Sequence, residues 1–552
     1  MEPSSEPTGP ATDPLADLRA EVAAAAGELS GGGGMSPRLD RSRRPEFGDY
    51  STNAAMELAP VLRRAPREVA NGLGDAVEAR LGDAVERVEV AGPGFLNLFM
   101  SDVWRREALG RVLAAGEGFG RPADGAGTES VLIEFVSANP TGPITVASGR
   151  HAAYGDSLAR VLEWAGHRVW REFYVNDRGT QVRRFGESIR ARARGEEPPP
   201  DGYRGAYVAE LAAAIPDAAE ADPEALAREG VERMVAWVRA TLERFGVRFD
   251  AFFSERSLHD SGALDRVAGV LEERGEVFRS EGAVWLRSSA RGDDKDRVLR
   301  RSSGETTYFA ADVAYHEDKR ARGFDRAIDV LGADHHGYVG RMKAAWEALG
   351  GAPDGLEMSI MQLVNLTEHG RRVTMSKREG EFVTLDDLID DIGVDAARYF
   401  LLQRSHDTTL DLDLALAREQ SQENPVYYVQ YAHARIASIL RKAGEDRVTG
   451  ALAADLARSP ESLHPSARIL LARLLELPAE VATAAVRRAP HRFTTYSLEV
   501  AQAFSAFYRD CKVVGAAEEG GDEELRLALC VAAQRVIGRS LAVLGVSAPE
   551  EM

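Results

Sequence analysis

Val131-Leu-Ile-Glu-Phe-Val136, followed directly by Ser137-Ala-Asn-Pro-Thr-Gly-Pro143, decides the fold. The first run reads as a short apolar strand, and the second, rich in Pro, Gly and Asn, as a tight loop. Val146, Tyr154, Leu158, Val161, Leu162 and Ala165 then fit a helix, Gly166 ends it, and Val169 to Val175 resumes a strand. Strand, loop, helix and strand make a βαβ unit, the building block of a parallel, doubly wound sheet. A loop between a buried strand and a helix N-terminus is also a ready anion site, because free N–H groups and the positive end of the helix dipole point into it. The 137–143 loop is therefore expected to meet a phosphate or carboxylate. Its spacing is neither a P-loop nor Gly-x-Gly-x-x-Gly, and purely structural turns share its composition.

Working outward, a second strand–helix set follows in Ala327-Ile-Asp-Val-Leu331 and Met342 to Leu349. Residues 185–300 are mostly charged and read as a helical insertion. Within 371–405, Thr374-Met-Ser-Lys-Arg-Glu-Gly380 sets a lysine beside an arginine. This α/β unit spans 131–411, and the helical pattern of 412–552 predicts an all-α domain. Upstream, 116–130 is a Gly-rich linker. Residues 15–115 read as a small α+β domain, with Val88 to Met100 as two short strands around a Gly-Pro-Gly turn. Residues 1–14 are expected to be a disordered tail. Seven arginines against four acids between Arg38 and Arg67 fit a phosphate-contacting face and a solvated surface equally well.

The 552 residues are enough for three or four domains, and 44% apolar with 28% charged residues supplies packed cores. A net charge of −19 (68 basic, 87 acidic) argues against a generally basic nucleic-acid coat. Two cysteines, Cys511 and Cys530, are too few for a disulfide scaffold or a four-thiolate zinc site. No uninterrupted apolar run suits a bilayer and no secretion signal is visible, so the expected location is cytoplasmic, without a membrane partner. Only six of the 68 basic residues are lysine (295, 319, 343, 377, 442, 512), so Lys377 in an exposed loop draws notice as a cation for phosphate charge.

Several stretches together resemble bacterial arginyl-tRNA synthetase. They are Ile133 to Pro143, Gly149-Arg-His-Ala-Ala-Tyr-Gly-Asp156, Phe173-Tyr-Val-Asn-Asp177, Leu331-Gly-Ala-Asp-His-His-Gly-Tyr-Val339 and Met375-Ser-Lys-Arg378 with Phe382-Val-Thr-Leu385. Gly393 to Arg398, Asn424 to Arg435 and Gly545 to Met552 complete the set, and the likeness runs in order through nearly the whole chain after Leu15. The resemblance implies an α/β Rossmann-type class I synthetase catalytic domain, an N-terminal α+β domain that holds the tRNA corner, and an all-α anticodon-binding domain. It implies an arginine–tRNA ligase. ATP and L-arginine give arginyl-adenylate, and tRNA(Arg) then takes the arginyl group; the first step typically needs bound tRNA. ATP would arrive with Mg2+, no protein-bound metal is implied, and the chain is expected to act as a monomer.

Carried onto this sequence, the family pattern assigns Lys377, Ser376, Thr145 and Ser148 to catalysis. Glu134 and Asn139 would hold the ammonium and carboxylate end of arginine. Tyr308 and Asp312 would meet its side chain, with Asp312 as the guanidinium partner, since that fork calls for a carboxylate. Pro140, Gly142, Ala147, Gly149, His336 and Met375 would line the ATP site, and Arg43, Arg44, Tyr427 and Arg435 would touch tRNA. The chain also departs from the pattern. Where members usually have Leu-His-Val-Gly-His, it has Ile144-Thr-Val-Ala-Ser148, and Thr374 replaces the first lysine of the Lys-Met-Ser-Lys signature. Loss of one donor at a transition state typically costs about 10²–10³ in rate, so reduced adenylation is the expectation. The alternative is a catalytically impaired paralogue that binds arginine or tRNA as a sensor or accessory factor. His335 and His336, if on a strand, would point to opposite faces and make a poor metal pair. Tyr428 and Tyr431 read as a core stripe.

Overall fold

The computed structural model describes residues 13–32, 36–42, 44–122, 128–372, 383–459 and 461–552. At the N-terminal side, Asp13 caps the helix Pro14–Ser30 by accepting from the Leu15 amide at 2.9 Å. An antiparallel four-stranded sheet follows, in the order Asp40–Arg41, Tyr50–Thr52, Phe95–Met100, Val85–Ala91. Its last two strands flank the Gly-Pro-Gly turn.

The central sheet is parallel and has five strands: β1 (Ser130–Glu134), β2 (Arg168–Val175), β3 (Ala251–Ser254), β4 (Arg326–Gly332) and β5 (Leu356–Met361). Their order is β5-β4-β1-β2-β3. Val131, Leu132 and Ile133 are fully buried, as a strand covered by helices on both faces requires. The chain winds outward from β1 to β3 and then returns to build β4 and β5 on the other side. That reversal opens a crevice at the carboxyl edge between β1 and β4, where ligands of such sheets bind.

Helix α1 (Val146–Trp164) packs against the sheet closely enough that a Cβ on Gly155 would stand 2.3 Å from the Phe135 ring. Glycine is therefore required there. Between β2 and β3, helices Thr180–Ala193, Ala206–Ala214 and Pro223–Arg244 form their own core around Phe185, Ile189 and Met234. The stretch read as a helical insertion also contains strands. Ala251-Phe-Phe-Ser254 is the edge of the main sheet, and 277–280, 283–286 and 297–300 form a small antiparallel sheet. Four-residue strands are too short to show alternation among charged residues.

The second helix of the site, α2 (Tyr308–Ala321), precedes β4. After the helix Leu385–Leu401 the chain enters a helical domain, beginning with α3 (Pro425–Ala443) and ending with Glu523–Leu544. That last helix is long and apolar enough by composition to cross a bilayer, and its apolar stretch is 72% buried within the protein. Fully buried Arg398 ties the parts together: its guanidinium donates to Asp156 Oδ2 of α1 (2.6 Å), the Phe245 carbonyl (3.0 Å) and the Leu544 carbonyl (2.8 Å).

Candidate active site

Beyond β1 the backbone turns abruptly. Val136 and Ser137 both take positive φ (68° and 40°), a strained conformation for a β-branched residue. The turn leaves Asn139 exposed and Pro140 buried, and Tyr207 of the insertion donates to the Thr141 carbonyl at 2.7 Å, with its hydroxyl 3.3 Å from where a Cβ on Gly142 would stand. Thr145 caps α1. Its Oγ1 accepts from the Ser148 amide (3.3 Å), and the two hydroxyls lie 3.2 Å apart. Ala147 is exposed beside them. The segment Val383–Leu385 docks on this helix start through Val146 N–H to the Val383 carbonyl (3.2 Å) and Leu385 N–H to the Ile144 carbonyl (2.7 Å). A Cβ on Gly149 would stand 2.7 Å from Leu385 Cδ1, so the bare glycine lets that segment approach. Met375, Ser376 and Lys377 lie outside the described residues, as does Arg43.

Under the crevice lies a buried polar layer built on one face of α2. Asp312, Tyr315, His316 and Lys319 recur at helical spacing, and the last three contact carboxylates on three neighbouring strands. Lys319, with no exposed surface, donates to Glu134 Oε2 of β1 (2.6 Å) and Asp329 Oδ1 of β4 (2.7 Å). The other Glu134 oxygen accepts from Ser137 (2.8 Å). His316 bonds the Asp312 carbonyl through Nδ1 (2.7 Å) and Asp329 Oδ2 through Nε2 (2.8 Å). Glu172 of β2 takes the Tyr315 hydroxyl (2.7 Å) and a two-pronged contact from Arg322 (2.6 and 2.8 Å). Burial works against ionisation of Asp329, and the Lys319 and His316 contacts overcome it, holding its carboxyl below the usual range. Each carboxylate of the layer thus has a cationic partner in Lys319 or Arg322.

Two carboxylates above it are not balanced. Asp312 is half-buried, accepts a hydrogen bond from Tyr338, and has its pKa raised by desolvation despite that bond. Glu255, just after β3, is pushed up to about 7 by burial, with Asp312 and Asp177 adding to the effect and the Tyr174 hydroxyl and the Arg178 cation opposing it. Asn176, with its amide turned to satisfy its neighbours, donates to Glu255 Oε2 at 2.9 Å. Among the described residues neither carboxylate has a lysine or arginine within ion-pair distance; His259 stands 3.8 Å from Glu255. Tyr308, 68% exposed at the start of α2, lies over Gly179 at the rim. Two raised carboxylates without an ion-paired lysine or arginine, near enough for Asp312 to act on Glu255, suit a cation with two faces to share, and a guanidinium has that shape.

The structure thus gathers Glu134, Tyr308 and Asp312 around the crevice and adds Glu255, Tyr174 and Lys319. Lys319 was findable as a rare lysine seven residues after Asp312 on the same helix face. Glu255 had no such signal, because the strand before it is so short. His335 and His336 sit in a 3-10 turn, Ala333–Tyr338, rather than on a strand; β4 has already ended at Gly332, and His336 is exposed. In the helical domain, Tyr427 stacks on Tyr431 (6.2 Å between centroids, 9° between planes), and the Arg435 guanidinium lies over the rings of Tyr431 (4.7 Å) and Tyr508 (5.3 Å). Tyr431 therefore belongs to a half-exposed ladder instead of the core, whereas Tyr428 leans inward and bonds Ser505. Arg44 is exposed, near Glu46.

Comparison with known proteins supplies the context. Residues 16–100 match the arginyl tRNA synthetase N terminal domain, residues 214–436 the class I (R) tRNA synthetase catalytic domain, and residues 429–552 the DALR anticodon binding domain. An arginine–tRNA ligase of Frankia alni is 46% identical over 554 residues, covering 97% of this chain and all of its own. The Thermus thermophilus arginyl-tRNA synthetase structure superposes with a TM-score of 0.77 at 26% identity, over 97% of this chain and all of that one. The Plasmodium falciparum arginyl-tRNA synthetase shares the fold, with a TM-score of 0.75 at 16% identity over 99% of this chain and all of that one. With β1 to β5, the crevice and both flanking domains in place, the chain belongs to the arginyl-tRNA synthetase family.

Proposed function

We propose that this chain is an arginine–tRNA ligase that works in the cytoplasm as a monomer. It activates L-arginine with ATP and Mg2+ and transfers the arginyl group to tRNA(Arg). The observation that carries the reading is the pair of carboxylates Asp312 and Glu255, both raised by burial and without an ion-paired lysine or arginine among the described residues, above a polar layer whose own carboxylates are already paired. A guanidinium between them satisfies both, and Tyr308 closes over it. Glu134 and Asn139, where β1 ends, take the α-ammonium and α-carboxylate. That carboxylate attacks the α-phosphorus of ATP, and pyrophosphate leaves. The positive end of α1 and Lys377 meet the phosphates, while Pro140, Gly142, Ala147, Gly149, His336 and Met375 line the nucleotide. A terminal hydroxyl of tRNA then attacks the arginyl carbonyl, and AMP leaves. The Tyr427–Tyr431–Arg435 ladder offers stacking faces for unpaired anticodon bases, with Arg43 and Arg44 on the far domain.

The test is arginine-dependent ATP–pyrophosphate exchange in the presence of tRNA(Arg). Exchange is expected, and Lys377→Ala should lower it about 10²–10³-fold. No exchange above a blank would leave the impaired-paralogue reading in its place. That reading has one observation in its favour, since the Thr145 and Ser148 hydroxyls are engaged with each other and with the helix start. We infer that ATP is handled here by hydroxyl and backbone groups where relatives of the usual pattern use imidazoles. The triple variant Thr145→His, Ala147→Gly, Ser148→His should therefore raise exchange. It should also lower stability by about 1 kcal/mol, because the Thr145 cap is lost. Unchanged exchange in a folded variant would refute a rate limit at these positions.

A further inference from the structure

We infer that the helical insertion braces the start of α1 through two hydroxyls, Tyr207 and Thr241, which are positioning residues for adenylation; the reaction so named rests on the ligase reading above. The strained turn after β1 is anchored in its first half, where Ser137 Oγ donates to Glu134 (2.8 Å) and accepts from the Tyr174 amide (3.1 Å). Its second half is the part expected to meet substrates, and far less holds it. Among the described residues, 138–143 share one hydrogen bond with the rest of the chain, from the Tyr207 hydroxyl to the carbonyl of buried Thr141. The Thr141 amide turns inward instead, to the Asn139 carbonyl (2.8 Å). A strained loop keeps its shape only where its surroundings over-determine it, and here that task falls to Tyr207.

The second contact grips from the other side. Val383–Leu385 docks on the start of α1, and the next residue, Asp386, accepts from Thr241 Oγ1 (2.7 Å), Arg244 (3.3 Å) and Trp237 (3.4 Å), all on the helix Pro223–Arg244. Arg244 also pairs with Asp390, one turn further along. Both contacts come from one packed unit, because the helices Ala206–Ala214 and Pro223–Arg244 share the core around Phe185, Ile189 and Met234. The Tyr207 ring is itself fixed, since a Cβ on Gly205 would stand 2.5 Å from it, and burial pushes its phenol up, which keeps the donor proton in place. The insertion thus holds the two segments that flank the Thr145 cap, where phosphate charge meets the helix dipole. Both hydroxyls act through the backbone they hold, by fixing where Asn139 and the helix start stand. A displacement of about 1 Å arising outside the chemistry can cost about 10²-fold in rate.

The experiment measures tRNA-dependent ATP–pyrophosphate exchange by the full chain and by its Tyr207→Phe, Thr241→Val and Thr241→Ser variants. Tyr207→Phe keeps the packed ring and removes the donor. Its kcat should fall about tenfold, while the KM values for arginine and ATP move less than about threefold. Thr241→Val should lower kcat about threefold, less because Arg244 and Trp237 still hold Asp386; Thr241→Ser, which keeps the hydroxyl, should match wild type. A merely structural role would lower Tm and leave kcat well below Tm unchanged. Amide hydrogen exchange followed by mass spectrometry reads the brace without turnover. Tyr207→Phe should speed exchange in peptides covering 137–143, and Thr241→Val in peptides covering 144–149, because the Val146 amide donates to the docked segment. A wild-type kcat in Tyr207→Phe or Thr241→Val, a Thr241→Ser variant as slow as Thr241→Val, or unchanged amide exchange would each overturn the inference. Should wild type show no pyrophosphate exchange, the ligase reading falls, and amide exchange alone decides the brace.

Discussion

Asp312→Asn lowers kcat/KM for arginine by about 10²–10³-fold, on the expectation that this carboxylate and Glu255 share the guanidinium. The substitution conserves volume and leaves an oxygen for Tyr338, so the change is one of charge. Truncating one member of a buried charge pair costs about 3–5 kcal/mol, and the guanidinium, left with Glu255 alone, should lose much of that. The KM for ATP should not move. A loss below about tenfold would place the guanidinium elsewhere.

The same pocket carries a pH signature. Glu255, near 7 in the empty site, must be ionised to receive a cation. Below that pH, binding must first expel a proton, so the KM for arginine should rise roughly tenfold per unit as pH falls and level off above about pH 8. The linkage to stability has a definite sign. The folded chain holds this proton more tightly than the unfolded chain, whose carboxyl sits at 4.5, so the contribution of Glu255 falls as pH rises from there through 7. Arginine relieves that strain, and its effect on Tm should be larger at about pH 8 than at about pH 6. A KM for arginine that stays flat across that range would contradict the assignment of Glu255.

What the sequence makes legible follows from how local each signal is. Val131 to Ile133 announce a strand because a parallel sheet buries both faces, and Val146 to Ala165 announce a helix because its apolar stripe and the Gly166 stop are local features. The crevice follows from the strand order, and that order was not legible, because the edge strand Ala251–Ser254 was read as part of a helical insertion and Leu356–Met361 was not read at all. Glu255 was not legible, since its role depends on a four-residue edge strand and on a carboxylate, Asp312, brought to it from 57 residues away on α2. The same holds for Glu134. From the motif it reads as free to bind substrate, but in the fold one oxygen already faces Lys319 and the other Ser137, so any substrate ammonium shares a carboxylate that is held in place. Tyr431 looked like core from its spacing on α3. Whether a helix stripe faces the interior or an open groove is settled by the neighbouring helices, here the one bearing Tyr508.

Lys319→Met should destabilise the protein by about 3–5 kcal/mol, measured as a shift of the urea midpoint at unchanged slope. Methionine fills nearly the same space, so a cavity does not account for the loss. What changes is that Glu134 and Asp329, both buried at the centre of the sheet, keep their charges and lose the ammonium between them. His316 can serve Asp329 alone. The deficit should therefore fall chiefly on Glu134, and the double variant Lys319→Met, Glu134→Gln should recover about half of the stability or more, because removing both members of a buried pair is far milder than stranding one. Acid should help the single variant for the same reason: a stranded carboxylate can take up a proton, so the gap to wild type should narrow as pH falls toward about 5. Wild type has no such relief available, since Asp329 is held well below the usual carboxylate range. A loss under about 1 kcal/mol would mean that water replaces the ammonium, so that the layer under the crevice is wet. In that case Asp312 and Glu255 would sit over solvent rather than over a sealed floor of paired charges, and their preference for a guanidinium would lose its physical basis.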